Sequence, residues 1–280
     1  MSGFKPSLPV ILSIAGSDCS AGAGIQADLM TAMALGCYCA TVVTCVTAQS
    51  SDGVSGVLPA GRDMIIAQLR DVLLDFTPSA VKIGLLPDAD SVRAVVETIR
   101  DYGLKNVIVD PVLSATAGGS INNSRDVAKA IIDELIPLAT LVTPSKSEVI
   151  PIFGEEILNF TNIDGARLEK ESDFADSLYV LLKGGDFEGT RCVDRLLSTN
   201  RPKRPHTPSY RLVASYESER IDTEHTHGTG CVLSSAIACF LAKGESVPDS
   251  VAMAKRFVGE ALLKGKAHPV REHYGPLGLF

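Results

Sequence analysis

The sequence has neither a long apolar segment nor an excess of basic charge. Its 280 residues include 26 Lys and Arg against 33 Asp and Glu, which gives a net charge of −7. Because a nucleic-acid surface requires clustered basic residues, we do not expect a nucleic acid as the main partner. No apolar segment approaches the ~20 residues that span a bilayer. The apolar run near the N-terminus is too short for a signal peptide, so we expect no membrane partner.

Paired cysteine spacings are absent as well. The seven cysteines are odd in number and scattered, and several lie in apolar segments. A disulfide framework would need regular pairs, so we predict reduced thiols in a cytoplasmic protein. The chain also lacks the G-x-x-x-x-G-K-[ST] motif and the protein-kinase motifs. P-loop nucleotidases and protein kinases are therefore excluded.

A glycine-rich segment at 15–28, AGSDCSAGAGIQAD, contains the pattern Gly22-x-Gly24-x-x-Ala27 of dinucleotide sites. Such a site needs an acidic residue about 20 positions further on to hold the ribose. Residues 29–51 contain no Asp or Glu, so a dinucleotide site is excluded. Two interpretations remain. The segment is a tight turn that requires glycine, or it is a loop against which a small planar substrate lies, with Asp28 and Gln49 as polar contacts.

Nearly continuous apolar runs of strand length alternate with helical patterns. The strand-like runs are 9–16, 39–48, 80–86, 106–113, 138–145 and 177–185, and the helical patterns are 25–36, 63–76, 90–103, 124–136, 229–243 and 247–267. Segments 191–198 and 209–218 are typical of antiparallel edge strands joined by a loop at 200–208, while 150–176 is the least regular region. The alternation predicts an α/β fold, with a mostly parallel central sheet between helices on both faces. We expect a single domain over residues 1–280.

The segment HTHGTGC at 225–231 carries the strongest functional signal. In open α/β sheets, ligands bind beyond the carboxyl ends of the strands. Gly228, Thr229 and Gly230 form a predicted turn whose N–H groups converge, and the following helix adds its positive end. This arrangement suits the charge on a transferring phosphoryl group. Cys231 lies in the first helical turn, where we expect its pKa to be lowered so that it takes a proton from a substrate hydroxyl. The alternative is a small buried cysteine.

Three other polar residues follow predicted strands. Asp110 and Glu148 could hold Mg²⁺ directly or through water, and Lys183 could neutralise phosphate charge. The alternative is a structural ion pair between Lys183 and one of the carboxylates. His225, His227 and Cys231 could also be zinc ligands, but the sequence lacks a fourth ligand at a suitable spacing and a C-x-x-C pair, so zinc is the less favoured interpretation.

Several segments together resemble one family of kinases. They are AGSDCSAGAGIQADL (15–29), VVTCVTAQSSDGV (42–54), VIVDPVLSATAGG (107–119), LVTPSKSE (141–148), LLKGGD (181–186) and HGTGCVLSSAIA (227–238). Their order and spacing resemble the ribokinase superfamily and, within it, the hydroxymethylpyrimidine/phosphomethylpyrimidine kinases of thiamine biosynthesis. The resemblance extends from about residue 9 to residue 280.

The resemblance implies a ribokinase-like domain that uses ATP and Mg²⁺. The expected reaction phosphorylates 4-amino-5-hydroxymethyl-2-methylpyrimidine, and then its monophosphate to the diphosphate. Cys231 is implied as the base, with Gly228, Gly230 and Lys183 as further catalytic residues. The implied pyrimidine contacts are Gly16, Ala23, Asp28, Gln49 and Leu85; the implied nucleotide contacts are Thr143, Ser145, Lys183, Thr226 and Gly228; Asp110 and Glu148 are the implied metal ligands. Ser145 stands where the family usually has Asn.

Other functions stay open. A pyridoxal/pyridoxine kinase would share the fold, the donor and the GTGC turn, and pyridoxal is likewise a flat heteroaromatic ring with a hydroxymethyl group. A non-catalytic pyrimidine-binding protein and a zinc hydrolase using His225 and His227 are less favoured. The family also implies a homodimer, and a need for a monovalent cation is left open.

Overall fold

A computed structural model describes residues 8–50, 53–113, 125–160, 177–186, 189–199 and 210–279. These ranges contain sixteen regular strands and α-helices. They are β1 (Val10–Asp18), α1 (Gly24–Ala34), β2 (Tyr38–Ser50), β3 (Gly53–Pro59), α2 (Arg62–Asp75), β4 (Ala80–Ile83), α3 (Ala89–Tyr102), β5 (Val107–Val109), α4 (Arg125–Ala130), β6 (Leu141–Val142), α5 (Lys146–Phe153), β7 (Leu178–Leu182), β8 (Arg191–Thr199), β9 (Tyr210–Glu219), α6 (Thr229–Ala242) and α7 (Val247–Ala267).

The strands form one sheet in the order β3-β2-β1-β4-β5-β6-β7-β8-β9. The parallel pairs join six neighbouring strands of this sheet, in the order β2-β1-β4-β5-β6-β7. β3 is antiparallel to β2, and β8 is antiparallel to both β7 and β9. The predicted mostly parallel sheet and the two antiparallel strands after it are confirmed, while the predicted loop at 200–208 lies outside the described residues. Within the described ranges, no helix has both the length and the apolar character needed to cross a membrane.

Helices cover both faces of the sheet because successive strand residues point to opposite sides. Ile11, Ala80 and Ile108 pack in a core cluster with α1, α6 and α7. Their neighbours Leu12 and Val81 pack in a second cluster with α2, α3 and α4. The nearly continuous apolar strands therefore supply two cores at once, which confirms the three-layer prediction.

Three local predictions differ from the structure. Strand β3 was not predicted, because it is an edge strand whose side chains are mostly partly or fully exposed, so it carries no apolar pattern. The helix expected at 124–136 divides into α4, a π-helical turn at 131–135 and a 3₁₀ turn at 136–138. The irregular region expected from 150 begins inside α5, which contains Pro151, and continues as a 3₁₀ turn at 155–160. Residues 161–176 of that region lie outside the described residues.

A fully buried ion pair joins the sheet to the helices on one of its faces, near the ends of the central strands. The Lys82 ammonium on β4 lies 2.9 and 2.8 Å from the two Asp28 carboxylate oxygens on α1. Ser13 on β1 and Ser235 on α6 each donate a hydroxyl to the same carboxylate, at 2.5 and 2.6 Å. Burial alone would lower the pKa of Lys82, but the Asp28 charge and hydrogen bonds raise it above its ordinary value. Lys82 is therefore charged in the folded protein.

Removing one partner of this pair should destabilise the fold much more than removing both charges. Lys82→Met leaves a buried carboxylate without a cation, so we expect the free energy of unfolding to fall by about 3–5 kcal/mol. The double variant Asp28→Asn/Lys82→Met should recover most of this loss, because the Asn amide oxygen accepts from one serine and its NH₂ group donates to the hydroxyl of the other. Urea unfolding followed by circular dichroism measures both values.

The matched control is Lys129→Met, which removes a solvent-exposed partner of Asp133. An exposed pair of this kind contributes about 1 kcal/mol or less. If the double variant is as unstable as Lys82→Met alone, an uncompensated charge is not the cause of the loss.

Candidate active site

A cavity of about 450 Å³ opens at the carboxyl ends of the parallel strands. Strand β1 lies between β2 and β4. The strands that follow it are added first on the β2 side and then on the β4 side, so the strand order reverses at β1. A crevice forms at such a switch point in an open α/β sheet. The end of β1 (15–18), Leu85 after β4 and Asp110 after β5 all line the cavity. The residues that follow these strands therefore line one cavity, at the edge of the sheet where the sequence predicts a ligand.

One end of the cavity is formed by the glycine-rich loop and the end of β2. Gly16, Ala23, Gln49 and Leu85 all line it, as the predicted pyrimidine contacts should. A Cβ atom at Gly16 would lie 2.8 Å from the Cys45 sulfur and 3.1 Å from Leu85 Cδ2, so no larger residue fits there. This end therefore presents a flat backbone surface beside an apolar side chain, which suits a planar ring.

Asp28 does not lie in the cavity, so its prediction as a substrate contact is corrected. Its side chain is fully buried, and its two oxygens are occupied by Lys82, Ser13 and Ser235. The sequence could not distinguish a carboxylate that faces a ligand from one buried behind it in the first helix. Asp28 holds the elements around the cavity instead.

The turn at 226–230 forms the middle of the cavity. Gly228 has a φ of +82° and caps α6, which begins at Thr229. A Cβ atom there would lie 1.8 Å from the Gly22 carbonyl oxygen, so only glycine allows the two loops to meet. A Cβ atom at Gly230 would lie 3.4 Å from Asp110 Oδ2 and 3.8 Å from Lys183 Nζ. The start of α6, a carboxylate and an ammonium group therefore converge, as predicted, and Thr226 also lines the cavity.

Cys231 lines the cavity in the first turn of α6, but its expected acidity is wrong for the ligand-free protein. Burial raises the pKa of its thiol to about 11. The Lys82 charge lowers this pKa and the Asp28 and Asp110 charges raise it, so burial prevails over the favourable contacts. At neutral pH the thiol is protonated, and the thiolate is the minor form.

The two histidines hold loops together. His227 is buried, and its Nε2 lies 3.0 Å from the Asp18 carboxylate. Burial alone would raise the pKa of Asp18, but hydrogen bonds from His227 and from Ser20 and Ala23 hold it below its ordinary value. His225 Nδ1 accepts a hydrogen bond from the Gly275 N–H at 3.0 Å. The two rings contact different partners, and the described residues contain no group of three ligands that could hold a metal ion.

Asp110 and Thr143 form a pair in which only the first reaches the cavity. Thr143 is buried and absent from the cavity wall, which corrects its prediction as a nucleotide contact. Its hydroxyl donates to Asp110 Oδ1 at 3.3 Å, and Ser234 donates to Oδ2 at 3.4 Å. Both bonds are long, so the Asp110 carboxylate keeps acceptor capacity towards the cavity.

The donor set fits Mg²⁺ through Asp110 better than through Glu148. Glu148 Oε1 accepts from the Leu113 N–H and Oε2 from the Ser145 N–H, both at 2.7 Å. Two strong backbone bonds leave this carboxylate suited to a metal-bound water rather than to direct coordination. Ser145 caps α5 and lines the cavity, where its hydroxyl lies 3.1 Å from that of Ser147. Mg²⁺ commonly binds one or two carboxylates together with substrate phosphates, and this set meets that requirement.

The far end of the cavity contains residues that sequence analysis missed. Asp194 on β8, Arg220 after β9 and Lys255 on α7 line it, together with Val258 and Leu262. Asp194 could have been found by the argument used for Asp110, since it is a carboxylate within a predicted strand. Arg220 follows a predicted strand end. The α7 residues gave no local signal, because α7 reaches the cavity only through packing of α6 and α7.

Comparison with known proteins identifies the family. A family model described as phosphomethylpyrimidine kinase matches residues 18–278. The probable thiamine biosynthetic bifunctional enzyme, chloroplastic, of Oryza sativa subsp. japonica is 37% identical over 282 residues, covering 97% of this chain and 47% of the relative. The hydroxymethylpyrimidine/phosphomethylpyrimidine kinase of Rhizobium meliloti is 36% identical, covering 97% of each chain. The chain thus spans about half the length of the plant relative and nearly all of the bacterial one.

Solved structures of similar proteins share the fold over nearly the whole chain. Bacillus subtilis pyridoxal kinase, solved as an ADP complex, has 31% identity and a TM-score of 0.73, with 97% of each chain covered. Phosphomethylpyrimidine kinase of Clostridium difficile has 31% identity and a TM-score of 0.67, covering 90% of this chain and 99% of that one. The fold is ribokinase-like, and the chain belongs to the phosphomethylpyrimidine kinase family.

Proposed function

We propose that the protein transfers a phosphoryl group from ATP to hydroxymethylpyrimidine, and then to its monophosphate. One observation carries the proposal: the start of α6, the Asp110 carboxylate and the Lys183 ammonium converge at Gly230, in the middle of one cavity. Phosphoryl transfer depends mainly on positioning and on stabilising charge at the phosphate oxygens. A flat glycine surface lies on one side of this point, where an acceptor ring fits. The ADP complex of the similar B. subtilis pyridoxal kinase supports ATP as the donor.

In the proposed reaction, the acceptor ring lies against Gly16 and Leu85, and Gln49 contacts its polar edge. The N–H groups at the start of α6 and the Lys183 ammonium stabilise the transferring phosphoryl oxygens. The Cys231 thiolate takes the proton of the hydroxymethyl oxygen. Asp110 would hold Mg²⁺ directly and Glu148 through a water, and the ion would neutralise phosphate charge.

The first experiment compares three acceptors with purified protein, ATP and Mg²⁺. Hydroxymethylpyrimidine, its monophosphate and pyridoxal are incubated separately, and the products are resolved by mass. We expect both pyrimidines to be converted, the monophosphate to the diphosphate. Phosphorylation of pyridoxal alone would contradict the substrate assignment and favour the pyridoxal kinase alternative, whereas no product from any acceptor would contradict the kinase function.

Cys231→Ser should reduce the first phosphorylation more than the second. A serine hydroxyl fills the same space but is a poor base, and loss of a general base costs about 10²–10⁴-fold in rate. The second acceptor is a phosphate that needs little deprotonation, so its loss should be much smaller. Steady-state kcat for each acceptor measures the difference. Equal losses in the two steps would argue against Cys231 as the base.

The high pKa of Cys231 predicts slow alkylation of the ligand-free protein near neutral pH. Only the thiolate reacts, so the rate should rise about tenfold per pH unit and should not level off below about pH 10. An ordinary thiol, with a pKa of 9.0, would level off earlier. Iodoacetamide labelling of the Cys231 peptide, followed by mass spectrometry, measures the rate, and Cys231→Ser identifies the peptide. A plateau near pH 7 would show that the helix prevails over burial.

A cytoplasmic location, a homodimer and one domain over residues 1–280 are expected from the sequence and the family. Size-exclusion chromatography with light scattering tests the homodimer.

A further inference from the structure

The segment that carries Lys183 is held by side chains that the proposed reaction does not use. Asp194 on β8 accepts a hydrogen bond from the Gly184 N–H at 2.7 Å. Its other oxygen pairs with the Lys255 ammonium on α7 at 2.9 Å. Asp194 is only 5% exposed, and a buried carboxylate is costly unless it is paired. Its two partners thus connect the Lys183 segment, β8 and α7.

Close packing removes the remaining freedom of this segment. A Cβ atom at Gly184 would lie 2.3–2.5 Å from the backbone O, N and C atoms of Val193, so the Gly184 backbone lies directly on β8. From the other side, Arg220 donates to the Gly185 carbonyl at 3.0 Å and to the Gly184 carbonyl at 3.4 Å. The two residues after Lys183 are therefore fixed on both sides.

The position of Lys183 follows from these contacts. Its Nζ lies 3.8 Å from the Cβ position of Gly230, beside the phosphate-binding turn. A lysine side chain is flexible, so its backbone must be fixed if the ammonium is to stay at one point. We infer that Asp194 is a positioning residue that, through the Gly184 N–H, holds Lys183 beside this turn. The inference rests on the proposed function, since it assigns Lys183 to the phosphates.

Two other roles for Asp194 make different predictions. If the pair between Asp194 and Lys255 only stabilises the fold, then removing the pair lowers activity. The hydrogen-bond acceptor for the Gly184 N–H then has no further effect on activity. If Asp194 contacts the nucleotide directly, then its effect is independent of Lys183. The test therefore has to vary the hydrogen-bond acceptor at residue 194 in variants that already lack the ion pair with Lys255.

The matched variants are Asp194→Asn/Lys255→Met and Asp194→Ala/Lys255→Met. Both lack the ion pair, but only the Asn variant keeps an acceptor for the Gly184 N–H. We expect kcat/KM for ATP to be about tenfold or more lower in the Ala variant than in the Asn variant, because small misplacements of catalytic groups cost up to about 10²-fold. The KM for the pyrimidine should agree within about twofold in the two variants, because Asp194 lies on β8, five strands away from β1 and the glycine-rich loop.

Adding Lys183→Ala to each variant tests the coupling. Lys183→Ala should reduce activity several-fold less in the Asp194→Ala/Lys255→Met background than in the Asp194→Asn/Lys255→Met background. The reason is that Lys183 is already misplaced in the first of these backgrounds. Equal kcat/KM values in the two double variants, or an equal cost of Lys183→Ala in both, would overturn the inference. Thermal melting checks that each variant is folded. If the Ala variant is not, Asp194→Val/Lys255→Met, whose valine favours strands, replaces it.

Binding of ADP, measured by calorimetry, separates this inference from the proposed function. If the wild-type protein phosphorylates no acceptor, the proposed function fails, but weaker ADP binding in the Ala variant than in the Asn variant still supports the role of Asp194. If the wild-type protein is active and the two variants bind ADP equally and have equal kcat/KM, only the inference fails.

Discussion

The buried Asp28–Lys82 pair is the interaction on which the arrangement of the site depends. One carboxylate receives hydrogen bonds from Lys82, Ser13 and Ser235, and so fixes α1, β4, β1 and α6 at a single point. Hydrogen bonds between charged groups in a buried environment are strong and directional, so these elements have little freedom to shift. Cys231 lies one turn before Ser235 on α6. The contact that fixes Ser235 therefore also sets the direction in which the first turn of α6 faces the cavity.

A second constraint is the direct contact between two backbone loops. Gly22 and Gly228 meet with no space for a side chain, and a Cβ atom at Gly22 would lie 2.0 Å from the His227 ring. The His227–Asp18 contact joins the same loops. The glycine-rich loop at Gly22 and the turn at 226–230 share this contact, so neither can move without the other. In phosphoryl transfer, such rigidity keeps donor and acceptor in line without further ordering during the reaction.

The parallel sheet, the helices on both faces and twelve of the residues that line the cavity could be predicted, because strand-length apolar runs and the residues after them are local signals. Sequence analysis placed Gly16, Lys183 and Gly230 at the site. It could not tell that Asp28 points into the core, because the partner that neutralises it is more than 50 residues away in sequence. The pKa of Cys231 was predicted in the wrong direction for a related reason. A helix start is visible in the sequence, whereas the burial that opposes it arises from tertiary packing.

The high pKa of Cys231 sets a condition on its proposed role, because only the thiolate, the minor form near neutral pH, can accept the proton. Asp28 and Asp110 already lie close enough to raise the pKa of this thiol, and the nucleotide adds further negative charge. The Lys82 charge beneath the thiol favours the thiolate, and so supports the form that accepts the proton. The buried ion pair therefore acts on the chemistry as well as on the fold, since Lys82 stabilises charge at Cys231 while Asp28 limits how much thiolate forms.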